Sequence, residues 1–571
     1  MAIFGLIEPF LLAILFPIVY ADPEPRSLTW SETPVGPDGP WNAVEVVVGA
    51  PRETMALFPG ATWQTWVITS DYCALNSSIS HCGAGTYSKD AAIESDLNGI
   101  QFQASPQDMV HGVEVGGATT RMFMDTFDFQ FQDGIVLNTS MSLIETQMLA
   151  YPSGDWYPMF AGCLSLGGPN INQSYEGINA SIAPWYLATQ DVTPSSSFSM
   201  HIGSAVPGAS LGGSLLFGGY DRNRVVGGVL DYDGVFTEEI TLSNLAIEVI
   251  QGESPFEFTS QSDLLSTGSG TGVHLDPCSP YLTLPRSTCD NIANYLPLNY
   301  SSSLGLYLWD TSDNRYEAIV HSASALAFTF QNGGSDVTIN VPFQHLNLTL
   351  ATPLVEEPTP YFPCHTGGDG TYVLGRAFLQ DAFIGGNWGT ERWWLAQAPG
   401  PSVGTRSHIA SIAASDQSIV GSDSDWTSSW DSLWTDLAEL SRTEPEDDTQ
   451  ENPPAEDPPA NDPPTDNETE VPAEETTALS TGTIAGIAVG AGLGVLLLGI
   501  AGFLLWRRLR RAQGAAANVQ TLHYNPPIQP YHGHVQQTPA EVWGWEPKHN
   551  HPPSEIMGQE QRPRDRMYEM P

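Results

Sequence analysis

From residue 41 to about residue 400 the chain is cut into short apolar or alternating runs. This punctuation limits what it can fold into more than any other feature. "AVEVVVGA", "DFQFQ", "GSLLFGG", "LAFTFQ" and "VTINVPF" are separated by clusters of Gly, Asn, Asp and Pro. Brief runs of this kind, bounded by turn formers, read as strands. Helix-period stretches are few and short; "RSTCDNIANYL" (Arg286 to Leu296) is one. The expectation is a mostly-β body within a chain of 571 residues, too long for one simple domain.

The flanks of that body are of another kind. "LLAILFPIVYA" is an apolar run ending in the small-residue site Val19-Tyr20-Ala21, so residues 1–21 read as a secretory signal, although Glu8 stands where a basic residue is usual. Residues 22–40 are Pro-rich and are expected to be irregular. Residues 401–483 are rich in Ser, Thr, Asp, Glu and Pro, too polar to build a core, and predict an extended acidic stalk. Within it "DWTSSWDSLWTDLAEL" sets Trp426, Trp430, Trp434 and Leu437 at helical spacing. This predicts a short helix docked on the body, with a membrane-surface or partner helix as the alternative. Flanking acids would be repelled by anionic lipid, which favours docking.

Residues 484–506 are 23 residues without a charge, long enough to cross about 30 Å of hydrocarbon. Arg507, Arg508, Arg510 and Arg511 follow and place that side in the cytosol. Residues 507–571, rich in Pro, Gln and His, predict a disordered cytoplasmic tail whose histidines lack compact metal-ligand spacing. The expectation is a single-pass protein at the plasma membrane, N-terminus outside, with no metal or cofactor called for. Sequons at Asn76, Asn138, Asn172, Asn179, Asn299, Asn347 and Asn467 all precede the span, as do six cysteines, an even count that in an oxidising compartment implies disulfides. With 20 Lys+Arg against 65 Asp+Glu, the net charge of −45 argues against nucleic acid as a partner.

Several stretches resemble the pepsin-like aspartic peptidases, in the family's order. "VEVVVGAPRETMALF" is similar to the opening strand pair, "WVITSDYC" to the segment after the first catalytic loop, and "FAGCLSLGG" with "GGSLLFGGYDRNRVVGG" to the latter part of the first lobe. "VHLDPCSPYLTLP" resembles the second catalytic loop and "YVLGRAFLQDAFIGGNWGTERWWLAQAP" the closing strands. The resemblance implies a bilobal all-β fold with a central cleft, a first lobe over 41–230 and a second over 231–400. It also implies two aspartates at the cleft floor. Carboxylates that close share one proton, so that one activates water while the other donates to the scissile carbonyl.

The sequence departs from that chemistry. Asp276 holds the second-lobe aspartate position, followed by Pro277, Cys278 and Ser279. Aligning Trp66-Val67 on the family's Trp-Val puts Pro59 on the first aspartate, with Gly60, Ala61 and Thr62 after it, and no acid lies between Glu53 and Asp71. "VHGVEVGGATTRMF" lies at the flap and holds no tyrosine. The triplet that braces the first loop reads Cys163-Leu164-Ser165, whereas Val373-Leu374-Gly375 is intact in the second lobe. The resemblance also implies pairing of Cys73 with Cys82 and Cys289 with Cys364. That leaves Cys163 and Cys278 on the cleft floor, one from each lobe.

The expected function is non-catalytic binding of an extended peptide or other ligand in a cleft lined by Pro59, Gly60, Cys163, Cys278 and Ser279. Asp276 is then an ordinary loop carboxylate. Two rivals remain: an active membrane-anchored aspartic endopeptidase, and a structural or adhesion glycoprotein.

Overall fold

The computed structural model of the chain describes residues 22–437 apart from 50–51, 61–62, 76–81, 90–102, 106–108, 151–153, 171, 176–177, 269, 367–369 and 405. Three large sheets organise them. The first lobe is a sheet of nine described strands between Val44 and Ser181; at its centre Glu53–Gly60, Gly162–Ser165 and Thr65–Ile68 lie side by side. The second lobe holds a sheet of eight described strands between Ile240 and His365 or Val373–Leu374. Between them runs a six-stranded antiparallel sheet. It joins Arg26–Ser27, Ser214–Phe217, Ser197–His201 and Val226–Asp233 to the closing strands Ala382–Asn387 and Arg392–Gln397.

Both lobes place their site by the same local device. In the first, Gly162–Ser165 runs parallel to Glu53–Gly60 and antiparallel to Thr65–Ile68. In the second, Val373–Leu374 runs parallel to Thr271–Leu275 and antiparallel to Leu282–Thr283. "TGVHL" shows why the loop then turns to the cleft: Thr271, Val273 and Leu275 are buried, alternating with half-buried Gly272 and His274. Period two spends the apolar side chains on the lobe core, so Asp276 leaves the strand on the opposite face.

Several expectations need correction. Residues 22–40 are not irregular throughout: Arg26–Ser27 adds an edge strand, and Trp30 and Val35 bridge to Val44 and Trp41. The two lobes do not divide cleanly near 230, because the middle sheet takes strands from both halves of the chain. Residues 401–437 belong to the body rather than to a stalk. Ile409–Ser411 pairs with Gly219–Asp221, and Ile412, Ile419, Trp426 and Trp430 are buried. Isolated apolar residues in a polar stretch found grooves that composition does not reveal. The Trp426–Trp434 segment docks against Ala209 and Val226, but as a single 3₁₀ turn, Thr427–Trp430, rather than a longer helix. Trp430 and Trp434 stack at 5.4 Å instead of lining a helical face.

Among the described residues no helix is long and apolar enough to cross a membrane; the signal segment, the expected span at 484–506, the tail, Asn76 and Asn467 lie outside them. Asn138, Asn179 and Asn299 are exposed. Asn347 is a poor acceptor, because its half-buried amide donates from Nδ2 to the Tyr316 hydroxyl at 2.9 Å. Peptide mapping of the chain expressed through a secretory pathway is expected to find Asn347 unmodified even where the exposed sequons carry glycans.

Candidate functional site

Strand register fixes what faces Asp276. Leu374 pairs with Leu275, the residue before Asp276, and Leu164 pairs with Pro59. Pro59 is therefore the counterpart of Leu275, and Gly60 is the counterpart of Asp276. This corrects the placement of Pro59 at the aspartate position. The reason is loop length: Asp276 to Thr283 is seven positions, whereas Gly60 to Trp66 is six, with Thr283 and Trp66 opposite Val373 and Cys163. Neither Pro59 nor Gly60 supplies a carboxylate.

The space beyond Gly60 is filled by sulfur. Cys163 and Cys278 form a disulfide across the floor, with Cα atoms 6.1 Å apart. A Cβ added to Gly60 would lie 2.9 Å from the Leu164 carbonyl oxygen, 3.2 Å from Cys278 Sγ and 3.3 Å from Cys163 Cβ. The other two disulfides, Cys73–Cys82 and Cys289–Cys364, stay within their lobes. The bracing triplets follow the same asymmetry. A Cβ on Gly375 would be 2.3 Å from the Ser279 carbonyl oxygen, so the second loop presses on its brace and needs glycine there. The first loop leaves room for Ser165, whose Oγ accepts from the Gly167 N–H at 3.2 Å.

Asp276 itself is fully buried. Its Oδ1 accepts the Cys278 N–H at 2.8 Å, a turn that ties the carboxylate to the disulfide. Its Oδ2 accepts the His111 backbone N–H at 2.8 Å and faces His111 Nδ1 at 3.0 Å. His111 was not foreseen from the sequence. It lies in the stretch expected to form the flap, which here rests on the second lobe: a Cβ on Gly112, at φ +74°, would meet Val373 Cγ2 at 2.8 Å and Thr283 Oγ1 at 3.1 Å. Met109 and Val110 are buried beside the disulfide. What stays open at the floor is a pocket of about 40 Å³ lined by Phe58, Met109, Val110, Cys163, Cys278 and Arg376. That is room for a few waters.

Arg376 is the second unforeseen residue, although it directly follows the Val-Leu-Gly triplet. It is buried, with its guanidinium 3.8 Å over the Phe58 ring, and it donates from Nη1 to the Cys278 carbonyl at 2.7 Å and the Pro277 carbonyl at 3.3 Å. It thus braces the second loop against the strand that carries Pro59. Burial lowers the nearby His365 imidazole to about 4, so that ring stays neutral beside Tyr281. Ser279 is buried behind Asp276, and its Oγ has no hydrogen-bond partner among the described residues. Arg376→Leu is expected to cost about 2 kcal/mol, the scale of a lost charge-assisted hydrogen bond. Urea unfolding reads it, and an unchanged midpoint would remove Arg376 from the supports of the loop.

Two β lobes, each with a loop threaded by a partner strand and meeting at a cleft floor, define the class of pepsin-like aspartic peptidase folds. The family description "Eukaryotic aspartyl protease" matches residues 129–398, a span that includes Asp276 but begins after the first-lobe loop. Barrierpepsin of Saccharomyces cerevisiae is 23% identical over 358 residues, covering 60% of this chain and 57% of the yeast protein. The chain thus spans less than two thirds of that relative. The crystal structure of an aspartic proteinase from Irpex lacteus is 15% identical, covers 66% of this chain and 97% of that one, and superposes with a TM-score of 0.41. Residues 129–398 thus match the eukaryotic aspartyl protease family, within a mostly-β, pepsin-like fold.

Proposed function

We propose that this protein is a non-catalytic member of its family: a cell-surface protein whose peptidase-like ectodomain binds an extended peptide or other ligand along the cleft. The observation that carries the reading is the floor. The counterpart of Asp276 is a glycine backed by a disulfide, and Asp276 is spent on His111 and the Cys278 backbone. The aspartic mechanism needs two carboxylates around one water. Here one carboxylate is capped by N–H donors, and the flap stretch reaches its Oδ2 through His111. The uncharged span at 484–506, followed by four arginines, supports anchoring with the N-terminus outside.

An active endopeptidase remains the alternative, and the family match together with the retained Asp276 favours it. Incubating the purified full chain with a peptide library across acid to neutral pH, read for both cleavage and retention, separates the two. Retention without cleavage supports the proposal. Cleavage abolished by Asp276→Ala supports the peptidase. For anchoring, protease digestion of intact cells should spare an epitope in 507–571; loss of that epitope without permeabilisation would defeat the topology.

A further inference from the structure

A second buried acid–imidazole pair lies outside the cleft. His345 and Asp381 are both buried, with Nδ1 facing Oδ2 at 2.8 Å. His345 Nε2 faces the Ala209 carbonyl oxygen at 2.9 Å. A carbonyl only accepts, so Nε2 carries a hydrogen. The 2.8 Å contact on the other side then requires a second proton between Nδ1 and Oδ2. The pair therefore holds two protons and is neutral as a unit. Removing one leaves a net negative charge in the interior, with two lone pairs facing each other. Asp381 Oδ1 has no hydrogen-bond partner among the described residues to help carry that charge.

The groups around the pair are fixed. His201 donates from Nε2 to the Gln380 carbonyl at 2.7 Å and faces Arg224 Nη1 at 3.3 Å through Nδ1. Burial, and then the Arg224 charge, lower that imidazole to about 3, so it stays neutral at higher pH. Arg224 is drawn to Asp221 at 4.0 Å. Gln380 donates to the His345 carbonyl at 3.0 Å and accepts from Ser204 Oγ at 2.6 Å.

The tryptophan segment packs against the pair. The Trp430 ring meets the His345 ring edge-on at 4.7 Å, and Trp430 is fully buried. That segment is held by few hydrogen bonds: Gly400 N–H to Ser429 Oγ, Ser402 N–H to the Ser429 carbonyl, Ser402 Oγ to the Asp431 carbonyl, and Thr435 N–H to the His321 carbonyl. The charged groups facing it are Asp425 just before it, its own Asp431 and Asp436, Asp336 across the pocket that Trp426 lines, and the Glu317–His321 pair on the helix Arg315–His321, whose last carbonyl accepts from Thr435. Asp381 directly precedes the strand Ala382–Asn387, and the neighbouring Gln380 carbonyl accepts from His201 at the end of the strand Ser197–His201. Water reaches a deprotonated pair most cheaply by lifting the segment.

We propose that the His345–Asp381 pair is a proton-held clasp for residues 426–437, and that loss of its shared proton releases this segment from the body. The sign follows from the acid. Burial raises the Asp381 carboxyl, with His345 opposing, so the folded state holds the proton better than the unfolded chain. Below the ordinary carboxylate range the unfolded chain takes up a third proton that the two-proton pair does not hold, so the clasp is strongest between the ordinary carboxylate and imidazole ranges and weakens as pH rises from there through the pair's folded value.

Hydrogen exchange on the full chain, corrected for intrinsic rate, tests it between about pH 5 and about pH 9, the range in which buried carboxylates titrate. Peptides from 426–437 should lose protection by up to about tenfold per pH unit as pH rises towards the value at which the folded pair gives up its proton, the slope of a single proton, and level off above it. Peptides from 197–201 and 382–387 should keep theirs. Asp381→Asn supplies a fixed donor to Nδ1 and should flatten the slope while leaving the segment docked. A wild-type segment with pH-independent protection, or an unchanged slope in Asp381→Asn, would overturn the clasp. If Asp381→Asn also loses protection at 382–387, showing a fold defect, His345→Gln decides: a flat slope supports the clasp and a retained slope rejects it.

Discussion

Incubated with a peptide library at acid pH, the purified protein is expected to leave every peptide uncut, and neither Pro59→Asp nor Gly60→Asp should restore turnover. General acid and general base assistance are worth about 10²- to 10⁴-fold each, and the aspartic mechanism asks one pair of carboxylates for both. The polar partners of Asp276 are the Cys278 N–H and His111. An acid at Pro59 would stand at the counterpart of Leu275, a buried strand position, and would point into the lobe. An acid at Gly60 has the right register but no space, since its Cβ alone would press on the Leu164 carbonyl and the disulfide. That variant should lose about 1–3 kcal/mol through overpacking while gaining no activity. Turnover that disappears on Asp276→Ala would overturn the whole reading. Failure of the wild type combined with recovery in Gly60→Asp would show that the disulfide yields more readily than its packing implies.

Much of the framework was legible because it depends on local rules. "AVEVVVGA" yields Val44–Val48, "GSLLFGG" yields Ser214–Phe217, "VTINVPF" falls in Ser335–Pro342, and "RSTCDNIANYL" holds the helix Arg286–Ala293. The intact Val-Leu-Gly triplet was legible for a steric reason, since only glycine tolerates a carbonyl at that distance. The site was legible only in outline. Counting back from Trp66 assumes a loop of the family's length, and a loop one residue shorter moves the aspartate's counterpart from Pro59 to Gly60. His111 meets Asp276 across 165 residues of sequence, and a lone histidine in a glycine-rich stretch carries no local sign of such a contact. The docking of residues 401–437 was hidden for a related reason. Composition weighs Ser and Asp, while the groove that buries Trp430 is made by residues two hundred positions earlier, Ala209 and Val226.

Replacing Cys163 and Cys278 together by alanine is expected to have the largest effect on stability, about 4–5 kcal/mol if the loss is the loop-closure entropy of a link this long. The sequence separation is 115, against 75 for Cys289–Cys364 and 9 for Cys73–Cys82, and the three links do not overlap. Each therefore closes its own loop, and chain entropy alone separates the two longer ones by only about 0.4 kcal/mol. Location separates them further. Cys289–Cys364 ties the helix Arg286–Ala293 to the strand Cys364–His365, which already pairs with the strand Leu282–Thr283 just before that helix, whereas Cys163–Cys278 joins the bracing strand of one lobe to the loop of the other at the floor. Its removal should also loosen the Cys278 N–H that holds Asp276, and with it the grip on His111. Two measurements then read one change: a lowered urea midpoint, and faster exchange of the His111 amide at unchanged exchange within the central sheet. If the double variant stays within about 1 kcal/mol of wild type, an ordinary point-mutation effect, the lobes are held by packing and the bridge merely fills space. If stability falls but the His111 amide remains protected, the flap rests on the second lobe through Gly112 rather than through the bridge and Asp276. In that event the Gly112 contact with Val373, not the disulfide, is what closes the cleft floor.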